Sequence, residues 1–248
     1  MNSVALITAR TESSRFPGKI LENISAKKKS IDILISRAKK TDLPVILATT
    51  NLKSDDNLCK YVKKNHLIKI FRGSSKNKIL RWHQCFKKFN IKKACLIDGD
   101  DLCFDYELYK KNIKINKRFE IMTYPKSIIT GLFNNIISLN GLKKLVTVVK
   151  KNQDTEMIEP FIEKAMMKKI IIKINKKYIN KKIRLTFDYK EDLQLFKTIY
   201  SKFETTIDSK DIIDFLIKNP MLTKINYFRE ASWKNNQIKK ISDVKKLF

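Results

Sequence analysis

Arg10, Arg15 and Lys19 fall within ten residues of one another in "ALITARTESSRFPGKIL", residues 5–21, directly after an apolar run. A triphosphate needs several cations and backbone N–H donors converging at short range, and an irregular loop aims them where a helix would splay them. Pro17 and Gly18 shape a bend that turns Lys19 back toward the strand end. The stretch has neither the GxxxxGK[ST] of a P-loop nor the GxGxxG of a dinucleotide site. Acids form a second group. "LIDGDD" places Asp98, Asp100 and Asp101 after an apolar run, and "RLTFD" ends another in Asp188. Magnesium takes hard oxygen ligands, usually one or two carboxylates plus phosphate oxygens. In a chain with 25 acids against 53 basic residues, acids gathered at strand ends are informative. Asp98 and Asp101 have the alternative of capping the next helix or pairing with a lysine.

Such loops need a scaffold of strands and helices. "SVALITA", "LPVILATT", "IKIFRG", "KACLIDGD" and "FEIMTYP" read as strands, and the stretches between them have helical period. That alternation predicts an α/β fold with crossover helices, in which ligands collect beyond the carboxyl ends of the strands. "SDDNLCKYVKKN" opens with Ser54 as an N-cap, and Ile79, Trp82, Phe86 and Phe89 form one buried helical stripe. Beyond residue 125 a strand is expected near 135–138, then a helix, then a helix interrupted near Pro160. "KIRLTFD" reads as a last strand. It precedes a helix whose first turn holds Glu191 and Asp192, and another capped by Ser209 and stopped before Pro220. Residues 1–220 are expected to form a single domain, with 221–248 as an extension of no clear period.

The 248 residues and 43% hydrophobic content suffice for one substantial core. A net charge of +28 raises a nucleic-acid partner. The charge is dispersed, however, and lysine, isoleucine and asparagine are abundant throughout, as an AT-rich coding bias produces. An anionic small substrate is the preferred reading, and nucleic acid the rival. Cys59, Cys85, Cys95 and Cys103 show no CxxC pair and no histidine pattern, so they read as buried thiols. No signal-peptide pattern and no apolar run of about 18 residues is present, which makes the cytoplasm the expected compartment, with no membrane partner.

"ITARTESSRFPGKIL" resembles the AR-x-x-S-x-R-x-PGK-x-L opening of the sugar cytidylyltransferases, the group of the 3-deoxy-manno-octulosonate and acylneuraminate enzymes, and most of all its spore-coat polysaccharide branch. The likeness continues through "ATTNLKSDDNL", "IFRGSSKNKILRW", "DGDD" and "RLTFDYKEDLQLFKTIY", covering most of residues 3–200 in the family's order. The resemblance implies a Rossmann-like three-layer α/β/α sandwich of the nucleotide-diphospho-sugar transferase type, with a mostly parallel mixed sheet. It implies a Mg²⁺-dependent nucleotidyltransferase that moves CMP from CTP to an acidic sugar and releases pyrophosphate, for a surface polysaccharide or glycoconjugate. On that basis the Ala9 and Arg10 backbone lies near the nucleoside; Arg10, Ser13, Arg15 and Lys19 hold the phosphates; Asp100 and Asp188 bind the metal. Arg72 and Arg81 match family arginines that face the nucleotide or the sugar acid; Arg81 also has the alternative of a surface position on its helix. Relatives are commonly homodimers, and residues 125–180 are the expected dimer or sugar-side segment.

Departures gather on the sugar side. Met157 and Glu159 in "TEMIEPFI" stand where relatives often have histidine and threonine, "FNN" follows Leu132 in place of D-V-E, and Asn77 replaces an acid. They leave the sugar open and raise a further rival, a family member that binds nucleotide without catalysis. The basic loop lies outside the apolar core by this reading, so replacing Arg15 or Lys19 is expected to spare the fold.

Overall fold

Apolar β-branched runs alternate with amphipathic stretches, and the computed structural model, which describes residues 1–246 and 248, folds them into a mixed sheet flanked by helices. Strand β1 (Ser3–Thr8) is buried almost throughout, as a central parallel strand covered on both faces must be. It pairs in parallel with β4 (Val45–Thr50) on one side and β6 (Lys93–Asp98) on the other. Strand β5 (Lys69–Gly73) adds in parallel to β4. Past β6 the direction changes. Strand β8 (Ile136–Ser138) runs antiparallel to β6, β7 (Ile121–Thr123) antiparallel to β8, and β9 (Lys169–Ile171) parallel to β7. The seven-stranded order is β5-β4-β1-β6-β8-β7-β9, and β2 (Asn23–Ser25) with β3 (Lys28–Lys29) forms a separate antiparallel pair.

Alternation along β1 divides the core. Ala5 and Ile7 point to one face with Ile33, Leu34 and Phe196, while Val4 and Leu6 point to the other with Trp82, Phe86 and Phe161. The second face is closed by α3 (Lys78–Phe89), in which Ile79, Trp82 and Phe86 are buried as the spacing predicts and Phe89 is partly covered. Helices α1 (Ser30–Lys39), α2 (Asp56–Asn65) and α4 (Tyr106–Ile113) complete the N-terminal layers. The rest of the chain supplies α5 (Leu139–Val146), α6 (Glu159–Lys164), α7 (Lys190–Lys202), α8 (Ser209–Lys218), α9 (Pro220–Tyr227) and α10 (Arg229–Lys245).

Several elements differ from their sequence reading. "KIRLTFD" is not a ladder strand; it runs as a buried strap, with the Leu185 N–H bonded to Thr130 O at 3.0 Å and the Phe187 N–H to Asp100 O at 2.8 Å. Pro160 lies in the first turn of α6, where its missing N–H costs nothing, so it begins that helix instead of interrupting it. Ser54 belongs to a 3-10 turn ahead of α2, and Asp208 precedes α8 while the Ser209 hydroxyl donates to Cys103 O at 2.9 Å. Residues 220–245 are almost wholly helical, and α9 packs on α7. All four cysteines are free and buried. No helix among the described residues is long and apolar enough to cross a membrane.

Candidate active site

Chain order changes direction on either side of β1, with β4 on one flank and β6 on the other, so the loops after β1 and β6 open a crevice at the carboxyl edge of the sheet. The first loop is closed by the Gly18 N–H bonding to Thr11 O at 2.9 Å, and Gly18 takes φ 77°, a conformation that favours glycine. Asp55 fixes the loop from below. Its carboxylate is fully buried and accepts from the Thr11 N–H and hydroxyl, both at 2.7 Å, and from Thr49 and Thr50. Thus a 3-10 turn ahead of α2 holds the loop that follows β1.

Arg15, Lys19, Asp100 and Asp188 converge on the floor of this crevice. The Lys19 ammonium donates to Phe187 O at 2.6 Å and Asp188 Oδ1 at 2.8 Å, and lies 3.4 Å from Asp100 Oδ2. The Arg15 guanidinium donates to the same Asp188 oxygen at 2.7 Å. Asp188 is wholly buried; burial pushes its carboxyl up, but Lys19 and Arg15 outweigh that and hold it down at about 2. Its second oxygen is buried without a hydrogen-bond partner and lies 3.7 Å from Arg184. On the β6 side, carboxylate oxygens of Asp98, Asp100 and Asp101 all lie within 4.8 Å of one another. Burial, then the neighbouring acids, pushes Asp101 well up; for Asp100 burial and the charges of Asp188 and Asp98 prevail over the opposing pull of Lys19. Asp98 accepts from Asn134 at 2.5 Å and lies 3.6 Å from Lys78.

Above this floor is a cleft of about 460 Å³, lined by Ala9, Arg10 and Ser13 among others. Arg10 is half-exposed and pairs with Glu156 at 3.3 Å, while Glu156 takes Lys240 at 2.9 Å. Arg81 also lines the cleft and is 3% exposed, so the surface alternative for it is excluded. It donates to Ser74 O at 3.1 Å and has no ion-pair partner among the described residues; burial, then Arg10, lowers its pKa to about 10. Arg72 is elsewhere: it bonds Thr50 O at 2.9 Å, Leu52 O at 2.7 Å and Asp56 at 2.6 Å, and does not line the cleft.

Comparison with known proteins gives the family and the fold. A cytidylyltransferase family profile matches residues 4–204. The chain belongs to the cytidylyltransferase family. It is 24% identical to the spore coat polysaccharide biosynthesis protein SpsF of Bacillus subtilis, over 89% of this chain and 96% of that one. An uncharacterized protein of Methanocaldococcus jannaschii is 29% identical over 91% of this chain and 95% of its own. Among solved structures, a cytidylyltransferase from Leptospira borgpetersenii superposes with TM-score 0.82 at 27% identity, covering 90% of this chain and 97% of that one. CMP:2-keto-3-deoxy-manno-octonic acid synthetase complexed with CTP shares the fold, with TM-score 0.61 at 12% identity over 82% and 99% of the two chains.

Within this cytidylyltransferase, Met157 and Glu159 from the departing segment line the cleft, and Asn77 caps α3 by accepting the Leu80 N–H at 2.8 Å. Sequence reasoning missed three supports. Asp55, to which the sequence assigns no role in the site, holds the loop after β1. Asp192 does lie in the first turn of α7, yet it is fully buried and accepts the N–H groups of Asp188 at 2.7 Å and Tyr189 at 2.8 Å while pairing with Arg184 at 3.2 Å. Trp233, in the C-terminal extension, lines the cleft. The acid-after-hydroxyl spacing of Thr49, Thr50 and Asp55 is a local signal for the first; nothing local marks the last.

Proposed function

We propose that this cytidylyltransferase moves CMP from CTP to an acidic sugar and releases pyrophosphate. The observation that carries the reading is the convergence of Arg15, Lys19, Asp100 and Asp188 beneath the loop after β1 in a chain of this family. CTP lies in the cleft with its nucleoside near Ala9 and Arg10 and its phosphates over Ser13, Arg15 and Lys19. Arg15 has donors beyond the one that Asp188 takes, since its Nε is buried without a partner. Arg81, a buried cation facing the same cleft, supplies a further positive charge to the nucleotide or the sugar acid. A sugar hydroxyl attacks the α-phosphorus, the bond to the β-phosphate oxygen breaks, and pyrophosphate leaves with its charge held by the loop cations.

The floor fits a hard divalent ion. The carboxylate oxygens of Asp98, Asp100 and Asp101 cluster within 4.8 Å, the donor set such an ion takes, and Asp188 stands beside them with one oxygen on Lys19 and Arg15 and the other 3.7 Å from Arg184. Asp100 and Asp188 would hold Mg²⁺, which when bound neutralises triphosphate charge; a structural neighbour from Mycobacterium tuberculosis, alike in fold at 10% identity, is a complex with manganese. The sugar is an acid of the kind used in surface polysaccharide or glycoconjugate synthesis; lipopolysaccharide is one such product, and SpsF, by its name, belongs to polysaccharide biosynthesis. Residues 125–180 carry the exposed apolar Met166, Ile171 and Ile179 and the edge strand β9, which supports a homodimer through this segment.

Pyrophosphate release, measured with each of the four nucleoside triphosphates against a panel of keto-sugar acids with and without Mg²⁺, tests the reading. Turnover is expected with CTP alone and is expected to be lost in Asp100→Asn. Release with every triphosphate, or none, would count against it.

A further inference from the structure

Helix α10 begins 25 residues past the end of the family match at residue 204, yet it walls the cleft. Its half-buried residues Trp233, Gln237, Lys240, Ile241 and Val244 recur every three or four positions, so one face of an otherwise exposed helix lies on the molecule. Trp233, Gln237 and Ile241 on that face line the cleft, with Lys234 beside them. Ion pairs fix the helix along its length: Arg229 to Glu191 at 2.7 Å, Glu230 to Arg184 at 3.0 Å, Lys240 to Glu156 at 2.9 Å and Lys245 to Glu163 at 2.8 Å. Two of these reach the phosphate floor, because Arg184 lies against Asp188 and Glu156 also holds Arg10. The Trp233 ring packs on the Arg184 guanidinium at 5.3 Å, and its indole N–H is buried without an acceptor.

We propose that α10 is the wall that recognises the acceptor, with Trp233 and Gln237 as specificity-determining residues; the inference rests on the cytidylyl-transfer reading above. The nucleotide contacts proposed there all come from residues inside the family match, whereas α10 lies outside it. A wall beyond the residues that the family profile matches is the element suited to the substrate that varies. The chemistry agrees. An indole face packs on the C–H face of a sugar ring, its N–H and the Gln237 amide bond hydroxyls, and the exposed Lys126 ammonium in the same cleft attracts a carboxylate or a phosphate, beside Lys234, whose ammonium pairs with Glu230 at 3.1 Å. Met157 and Glu159 line the cleft as well, so the segment that departs from family pattern and the helix beyond it shape one region.

Steady-state pyrophosphate release tests this, with CTP and Mg²⁺ against 3-deoxy-manno-octulosonate, N-acetylneuraminate and ribitol 5-phosphate, in wild type, Gln237→Ala and Trp233→Phe. The first two acceptors carry a carboxylate and attack the α-phosphorus through a hydroxyl, while the third attacks through its phosphate oxygen to give a diphosphate link, so the one that turns over identifies both the anion and the attacking group. The acceptor KM is expected to rise about fivefold or more in Gln237→Ala, the loss of one hydrogen bond, with the CTP KM within about twofold of wild type. Trp233→Phe keeps an aromatic ring but loses the pyrrole part of the indole together with its N–H, and it should raise the acceptor KM without changing the melting temperature gained on adding CTP. Unchanged acceptor KM in both variants, or a parallel rise in CTP KM, overturns the assignment. If CTP stabilises the wild type but no probe turns over, the hydroxylated-acid class is wrong. If CTP gives no stabilisation at all, the nucleotide reading fails and this inference fails with it, a result distinct from the others.

Discussion

Asp188 takes Lys19 at 2.8 Å and Arg15 at 2.7 Å on one oxygen with no solvent exposure, which makes it both a candidate ligand and a structural charge. A carboxyl held at about 2, against ~3.9 in an unfolded chain, adds stability at every pH above about 4. That contribution, about 2 to 3 kcal/mol, is lost as pH falls from about 4 to 2, because the unfolded carboxyl binds its proton first. Asp188→Asn resembles the protonated state. Urea unfolding should therefore show the variant less stable than wild type at pH 7 and the gap closing toward pH 2; an equal gap at all pH values would show that the charge is not its source. The same geometry revises the expectation for the loop cations. Lys19 is 9% exposed and occupied by three partners, so Lys19→Ala leaves a buried carboxylate under-compensated and should lower the melting temperature as well as turnover. Arg15→Ala, nearer solvent, should reduce turnover at least about tenfold with the smaller thermal loss, since one charge-assisted hydrogen bond is worth about 1.5 to 3 kcal/mol. Calorimetry and pyrophosphate release on the same samples check both.

The strap over residues 183–188 delivers Asp188 to the floor, and its course depends on Gly131. Gly131 has φ +93°, and a Cβ there would meet Leu185 O at 2.2 Å, a contact that only backbone movement relieves. Gly131→Ala is expected to cost several kcal/mol in urea unfolding and to weaken turnover by displacing Asp188. A variant with wild-type stability would show that the strap is not held by this approach. This element marks where the sequence ceased to be legible. β1, β4 and β6 were readable because continuous apolar runs ending in turn residues have few other uses, β5 because Ile70 and Phe71 are β-formers that run into Gly73, and the stripe of α3 because Ile79, Trp82 and Phe86 have no polar alternates. "KIRLTFD" carries the same β-rich signal, but its partners Thr130 and Asp100 lie on loops, so pattern alone could not separate a strap from a strand. The acids and cations of the floor could be picked out by type and position, but not their pairing across 169 residues of chain, from Lys19 to Asp188. α10 was missed because Trp, Gln, Lys, Ile and Val share its inward face, and that mixture has no apolar period.

Across the whole molecule, a charge of +28 would bind polyanions through exposed lysines, and such binding weakens steeply with salt as counterions are released. The floor of the cleft is different. Lys19 and Arg81 are buried, and salt screens buried charges far less than exposed ones. CTP with Mg²⁺ at 100 times its dissociation constant should stabilise the fold by about 2.7 kcal/mol, which for a chain of this size raises the melting temperature by roughly 5 to 10 °C. ATP and GTP should give less, because the opening loop has the cytidylyl family's pattern. The comparison is made by thermal unfolding with each of the four nucleotides, at about 0.15 M and again at about 0.5 M salt, beside a single-stranded oligonucleotide. The oligonucleotide's shift is expected to collapse at the higher salt while that of CTP, raised to 100 times its dissociation constant there, persists. Equal shifts with all four nucleotides, fading together with the oligonucleotide's, would mean that the surface lysines and not the cleft bind them, and would return the molecule to the nucleic-acid reading.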